Sequence, residues 1–234
     1  MKILGIIPAR GGSKGIPCKN IKKLAGKPLI EYTISNALKS KKIDKVLVST
    51  DSKKIANISK KLGAQVPFLR PNELSNDTSK TIDVVKHALK FLHERESYIP
   101  EIVVILQPTS PFRSSRLIDK SVTLLMNSNS SSVISVSKVK THPYSSFSLK
   151  NKHLLPFSTD FEKHHRRQSM PVLYHPTGSI YTFWNKIIKK HDSIYGKKII
   201  PLIEKEGTFI DIDSPFDFSF SEIYLSNNKK NNFK

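Results

Sequence analysis

Acidic residues are scarce in this sequence. Across 234 residues, 19 Asp and Glu face 39 Lys and Arg, a formal net charge of +20. That surplus favours anionic partners such as nucleotides, sugar acids, nucleic acid or acidic membranes. Cysteine is scarcer still. Cys18 stands alone, which excludes an internal disulfide and a cysteine-based zinc cluster and leaves a simple loop thiol. No apolar run approaches the length of a membrane-spanning helix, so no membrane association is expected. Met1 and Lys2 lead into only a few apolar residues before Pro8, Arg10 and Lys14, unlike a secretory leader, and a cytoplasmic protein is expected. The lysines come as scattered pairs, such as Lys22-Lys23 and Lys60-Lys61, with no long basic arm, and there is no internal repeat. A nucleic-acid-binding protein would show a contiguous basic face with stacking aromatics, and none is legible, so no nucleic-acid partner is expected.

What is present reads as alternating strands and helices. "KILGII" at 2–7, "KVLVST" at 45–50 and "EIVVILQP" at 101–108 are continuous apolar runs, as in strands covered on both faces. Helical spacing follows Pro28, Asp51-Ser52, Thr78 and Arg116, with Ser52 as a cap and Gly63 as a stop. "SSVISVS", "GSIYTFW", "KKIIPLI" and "GTFIDID" read as further strands, and a last helix is expected from Ser214 to about Leu225. The expectation is an α/β fold with a doubly wound, mostly parallel sheet. Residues 1–226 make one domain in this reading, with 138–177 as a loop-rich insert and 227–234 as a flexible tail. Ligands in such sheets bind beyond the carboxyl ends of the strands, here at Pro8 onward, Ser49–Asp51 and Gln107 onward.

Each of these places carries polar residues with two readings. "ARGGSKG" ends the first strand with Gly11, Gly12 and Gly15 and with Arg10, Lys14 and, further on, Lys19. The glycines permit unusual dihedrals and close approach, and converging amides would make an anion nest. The loop is neither a Walker A sequence nor G-x-G-x-x-G, so an ordinary flexible turn stays open. "FIDIDSP" sets Asp211 and Asp213 two apart on an expected strand, which would put both carboxylates on one face. Such a pair suits a hard divalent cation, or Asp213-Ser214-Pro215 is simply a helix cap. Asp217, one turn on, reads as a dipole or surface residue.

Several motifs in register carry a family resemblance. "PARGGSKGIPCKN" with "LAGKPLI" resembles the start of the CMP-sialic acid synthetases, the acylneuraminate cytidylyltransferases, which include the synthetases for legionaminic and pseudaminic acid. "VSTD", "LRPNEL", "DTSKT", "LQPTSPFR", "RRQSMP", "PTGSIY" and "IDIDSPFDF" follow in the family's order. The resemblance spans all but the last few residues.

The resemblance implies a nucleotide-diphospho-sugar transferase-like fold. It implies an enzyme that joins CTP to an acidic nine-carbon 2-keto sugar and releases pyrophosphate. It implies Arg10 and Lys14 as holders of the triphosphate and Lys19 as a charge stabiliser near the α-phosphate, with Gly11, Gly12 and Ser13 in the same loop. Asn20 is implied as a reader of the cytosine edge, with Arg70 and Thr81 near the nucleotide. Gln107 and Tyr181 are implied at the sugar, and Arg167 as the grip on its carboxylate. Asp211 and Asp213 are implied as ligands of Mg²⁺ or Mn²⁺, and the 138–177 segment as the dimerisation arm of a homodimer. Two departures stand out. His175 and Thr177 occupy positions where many relatives show Arg-Pro-Asn-Gly, which leaves the identity of the sugar open.

Overall fold

The computed structural model describes residues 1–159, 168, 170–205 and 209–231. Its centre is a six-stranded sheet. The strands are β1 (Ile3–Pro8), β4 (Lys45–Ser49), β5 (Ile102–Leu106), β6 (Ser132–Lys138), β9 (Tyr174–Trp184) and β10 (Ile199–Ile203), in the order β10-β6-β9-β5-β1-β4. Two short strands, β2 (Lys23–Leu24) and β3 (Lys27–Pro28), pair separately. All central pairings are parallel except those of β9, which runs antiparallel to β5 and β6.

Alternation along the strands explains the layers. Ile3 and Ile7 of β1 face the helices α1 (Leu29–Leu38), α2 (Lys53–Lys61) and α4 (Ser115–Met126). Leu4 and Ile6 face α3 (Thr81–Glu96) and α5 (Lys186–His191). Both faces of the sheet are covered, so the central strands are apolar throughout. β1 pairs with β4 on one side and with β5 on the other, so the chain diverges at the ends of β1 and β5 and opens a crevice there.

Local signals act as expected at several ends. Ser52 accepts from Ile55 N, and Gly63 takes φ +90° just past α2. α3 begins at Thr81 rather than near Thr78, because residues 76–79 fold into a turn held by Asn76 and Ser79 side chains. The final helix, α6 (Pro215–Asn231), runs past Leu225 and takes in 227–231 of the expected flexible tail. "GTFIDID" is a larger difference. Residues 206–208 lie outside the described residues, and 209–213 form no strand. The segment crosses toward the first loop instead. Ile212 N donates to Thr109 O at 2.9 Å, and Ile212 is buried with Ile16, Leu24, Leu29 and Phe218 in a third apolar cluster.

Lys138 of β6 pairs with Tyr174 of β9, so the chain leaves the sheet between them. There β7 (Phe147–Lys150) and β8 (His153–Pro156) form a hairpin whose turn residues Asn151 and Lys152 both have positive φ, as a two-residue primed turn requires. Phe147, Leu149, Leu154, Leu155 and Phe157 are exposed on it.

Candidate active site

The crevice beyond β1 and β5 is a cleft of about 460 Å³. Its lining includes the cations Arg10, Lys14, Lys19 and Arg70 and the carboxylates Asp77 and Asp213. The first loop forms one wall. Gly11 and Gly15 serve close packing, and none of Gly11, Gly12 and Gly15 has a left-handed φ, contrary to the expectation of unusual dihedrals. A Cβ on Gly15 would lie 2.5 Å from Asp213 O, and one on Gly11 would lie 3.1 Å from Ser52 Cβ. Gly12 has open space around it. The Gly11 amide donates to Asp51 Oδ1 at 2.8 Å, so one loop amide already holds an anion of the protein itself.

Arg10 and Lys14 converge on Asp77, each at 2.6 Å, and these contacts hold the Asp77 carboxyl below the usual range. Lys19, largely buried, donates from Nζ to Ile212 O at 2.8 Å and to Asp213 Oδ1 at 3.0 Å. Asn20 is buried and donates from Nδ2 to Arg10 O at 2.9 Å, closing the base of the loop. Ser13 and Thr81 line the same cleft, Thr81 at the first position of α3.

Arg70 is the most buried cation of the cleft. Its side chain is 4% exposed, and neither Nε nor Nη2 has a hydrogen-bond partner. Asp51 stands 3.8 Å away. Burial lowers the Arg70 pKa, Asp51 works against that, and Arg10 adds to it. A buried guanidinium with unused donors is a ready receptor for an acceptor-rich ligand.

Gln107, the residue after β5, lines this cleft and also a second cavity of about 450 Å³. Tyr181 of β9 lines that second cavity, as do Ser193 and Tyr195. Burial, then the neighbouring Tyr195 and Asp211, push the Tyr181 hydroxyl up to about 12. Thr81 and Ser79 are shared by both cavities, so the two are neighbours. Arg167 lies outside the described residues.

Asp211 and Asp213 do not share a strand face. Asp213 is exposed at the cleft, whereas Asp211 points inward, with its Oδ2 3.0 Å from where a Cβ on Gly178 would sit. Asp211 Oδ1 is buried without a well-directed partner. Burial raises the Asp211 pKa, Thr109 opposes this, and the Asp213 charge raises it further. An unpartnered carboxylate oxygen beside a second carboxylate fits a hard cation. Among the described residues no group of three or more His, Cys, Asp and Glu gathers, so such a cation would complete its shell with water or ligand oxygens. The helix-cap reading of this segment also holds. Ser214 Oγ accepts from Asp217 N, and Asp217 Oδ2 accepts from the amides of Ser214 and Asp213. Burial would raise the Asp217 pKa, but these hydrogen bonds hold it below the usual range.

The two sequence departures sit elsewhere. Thr177 is buried, its hydroxyl donates to Glu204 Oε1 at 2.6 Å and lies 2.7 Å from Ser135 Oγ, while His175 Nε2 is 2.9 Å from Ser137 Oγ. Neither lines the second cavity. Asp77 and Asp51 were not singled out as site residues by sequence. Their signals were that Asp51 ends a strand at an expected ligand-binding end and that both lie in motifs of the family resemblance, "VSTD" and "DTSKT".

The family model described as "Cytidylyltransferase" matches residues 4–218. The chain belongs to the cytidylyltransferase family. It is 37% identical over 231 residues to the CMP-N,N'-diacetyllegionaminic acid synthase of Legionella pneumophila, covering 98% of this chain and 99% of that protein. It is 32% identical to the pseudaminic acid cytidylyltransferase of Campylobacter jejuni over the full length of both. It is 35% identical to the N-acylneuraminate cytidylyltransferase of Escherichia coli, covering 94% of this chain and 51% of that protein. The fold is similar to that of a CMP:2-keto-3-deoxy-manno-octonic acid synthetase solved with CTP, with a TM-score of 0.71 at 15% identity, covering 97% of this chain and 100% of that one. A 4-diphosphocytidyl-2C-methyl-D-erythritol synthase from Anaerococcus prevotii superposes with a TM-score of 0.66 at 18% identity, covering 96% and 98%. This cytidylyltransferase is therefore a CTP-dependent nucleotidyltransferase with the doubly wound, mostly parallel sheet expected of it. No described helix is long and apolar enough to cross a membrane.

Proposed function

We propose that this enzyme transfers CMP from CTP to the anomeric hydroxyl of a nine-carbon 2-keto sugar acid of the sialic acid type, legionaminic and pseudaminic acids included, and releases pyrophosphate. The observation that carries this reading is the pairing of two cavities. A cleft lined by four cations adjoins a second cavity across Gln107, Ser79 and Thr81. In the reaction the sugar hydroxyl loses its proton and its oxygen bonds to the α-phosphorus. Pyrophosphate leaves with the electron pair of the broken bond. The protein has little covalent chemistry to do, so positioning and charge neutralisation dominate.

Arg10 and Lys14, with Gly11, Gly12 and Ser13, hold the triphosphate in this reading, which replaces Asp77 as their anionic partner. Lys19 sits deeper, tied to Asp213, where it stabilises charge near the α-phosphate. Asn20, Arg70 and Thr81 meet the nucleoside. Gln107 and Tyr181 meet the sugar, and Arg167 grips its carboxylate through two parallel hydrogen bonds. Asp211 and Asp213 would hold Mg²⁺ or Mn²⁺, which when bound shields phosphate charge and acidifies the attacking hydroxyl.

The exposed apolar side chains of the β7–β8 hairpin support a homodimer formed through this arm, within the 138–177 insert of a single 1–226 domain. We place the enzyme in the cytoplasm. Pyrophosphate release tests the reading. The protein is incubated with Mg²⁺, each of the four nucleoside triphosphates and a panel of nine-carbon keto acids. Release with CTP and at least one such acid is expected. No release with any acid, from folded protein, contradicts it.

A further inference from the structure

Arg113 stands out as a buried cation that the proposed reaction does not use. It is 3% exposed, and among the described residues no carboxylate lies within ion-pair distance of it. Burial pulls its pKa down to about 10, with Glu204 and Asp211 opposing from farther off. Nε is buried without a partner, and the donors of Nη1 and Nη2 go to neutral oxygens. Nη1 donates to Ser179 O at 2.6 Å, Nη2 to Thr33 Oγ1 at 3.0 Å, and both reach Gln107 O at 3.3–3.4 Å. A guanidinium presents a flat, rigid fork of donors, so it can fix two backbone segments at once where a lysine holds a single point.

The two segments are informative. Gln107 is the first residue past β5, and Ser179 lies two residues before Tyr181 on β9. Gln107 and Tyr181 line the second cavity together. β5 and β9 are paired in register up to Leu106↔Ile180, and beyond that pair the ladder no longer holds Gln107 to β9. Arg113 bridges the gap that follows, and its third arm ties both ends to Thr33 of α1.

We propose that Arg113 is a positioning residue that clamps the ends of β5 and β9, setting the distance across the sugar cavity between Gln107 and Tyr181. The proposal rests on the reading of that cavity as the sugar site. Loss of the clamp leaves the first loop and Arg70 in place, so the cations of the triphosphate cleft stay put even though Gln107 borders that cleft as well.

Arg113→Met keeps most of the length and removes every donor, whereas Arg113→Lys keeps the charge and removes the fork. In steady-state assays, Arg113→Met is expected to raise KM for the sugar acid or lower kcat by roughly ten- to a hundredfold, with KM for CTP changed less than about threefold. Arg113→Lys is expected to recover only part of the loss, since it reaches one carbonyl at a time. Amide hydrogen exchange at 106–110 and 178–182 is expected to quicken by about tenfold or more in both variants, with β1 and β4 unchanged. An equal loss for sugar and CTP, or exchange that quickens uniformly, overturns the clamp. So does normal sugar kinetics in folded Arg113→Lys, should the methionine variant not fold. If the wild-type protein turns over no sugar acid, the functional reading fails, and the exchange comparison alone still decides whether the clamp exists.

Discussion

Gly15 gives the sharpest test of the geometry around the cleft. A Cβ added there would lie 2.5 Å from the carbonyl oxygen of Asp213, a backbone atom that no rotamer change can move away. Ordinary contact begins near 3.4 Å, so Gly15→Ala must part the first loop from the 209–213 segment by about 0.9 Å. That segment is the one to which Lys19 is bound, through Ile212 O and Asp213 Oδ1. Overpacking of this kind costs about 1–3 kcal/mol of stability. A displacement near 1 Å at reacting groups costs on the order of a hundredfold in rate. Gly12→Ala is the matched control, because a Cβ there meets nothing within 4 Å and the glycine has no left-handed φ. Pyrophosphate release under saturating CTP is the assay, with thermal melting to confirm folding. Gly15→Ala is expected to fold, to melt about 2–10 °C lower and to lose about a hundredfold in kcat, and Gly12→Ala to keep the wild-type melting temperature. Equal losses of stability in the two variants, or normal turnover in Gly15→Ala, would refute the close approach of loop and Asp213.

Three further outcomes follow from the same contacts. CTP at a hundred times its Kd is expected to stabilise the fold by about 2.7 kcal/mol, a rise in Tm of about 5–10 °C, and Arg70→Met to remove most of it; an undiminished shift in that variant would take Arg70 out of the nucleotide site. Burial raises the Asp211 pKa, so the folded state binds that proton more readily than the unfolded one, and stability is lost as pH rises through the folded value. Melting without divalent cations should therefore show Asp211→Asn gaining on wild type as pH rises through the carboxylate range, and Mg²⁺ should reverse the order; a pH-independent gap would contradict the buried charge. Replacing Leu154 and Phe157, both exposed on or beside the hairpin, with Asp is expected to convert a dimer to a monomer by light scattering, while an unchanged mass would remove the hairpin from the interface.

The fold was legible wherever a run of residues had one environment. Apolar runs such as 102–106 are buried on both faces, so composition alone marks them as strands. Ser52 and Gly63 marked the ends of α2 because capping is local chemistry. Residues 209–213 misled for the opposite reason. Their alternation of apolar and acidic residues has period two, yet Ile212 is buried against the first loop rather than in the sheet, a tertiary contact that no local pattern encodes. The cations of the cleft were readable from one loop and one motif each. Their anionic partner, Asp77, was not, because it reaches Arg10 and Lys14 from a turn some sixty residues away in sequence. Arg113 was not legible in the sequence for a related reason, since its contacts are with carbonyls brought together only by the pairing of β5 with β9.

A crystal structure with CTP and Mg²⁺ tests the central claim most directly. The account expects the triphosphate between the first loop and Asp213, with Arg10 and Lys14 turned from Asp77 to phosphate oxygens and the base toward Asn20 and Arg70. CTP bound outside this cleft, or bound there with the Arg10–Asp77 and Lys14–Asp77 pairs intact, would contradict it.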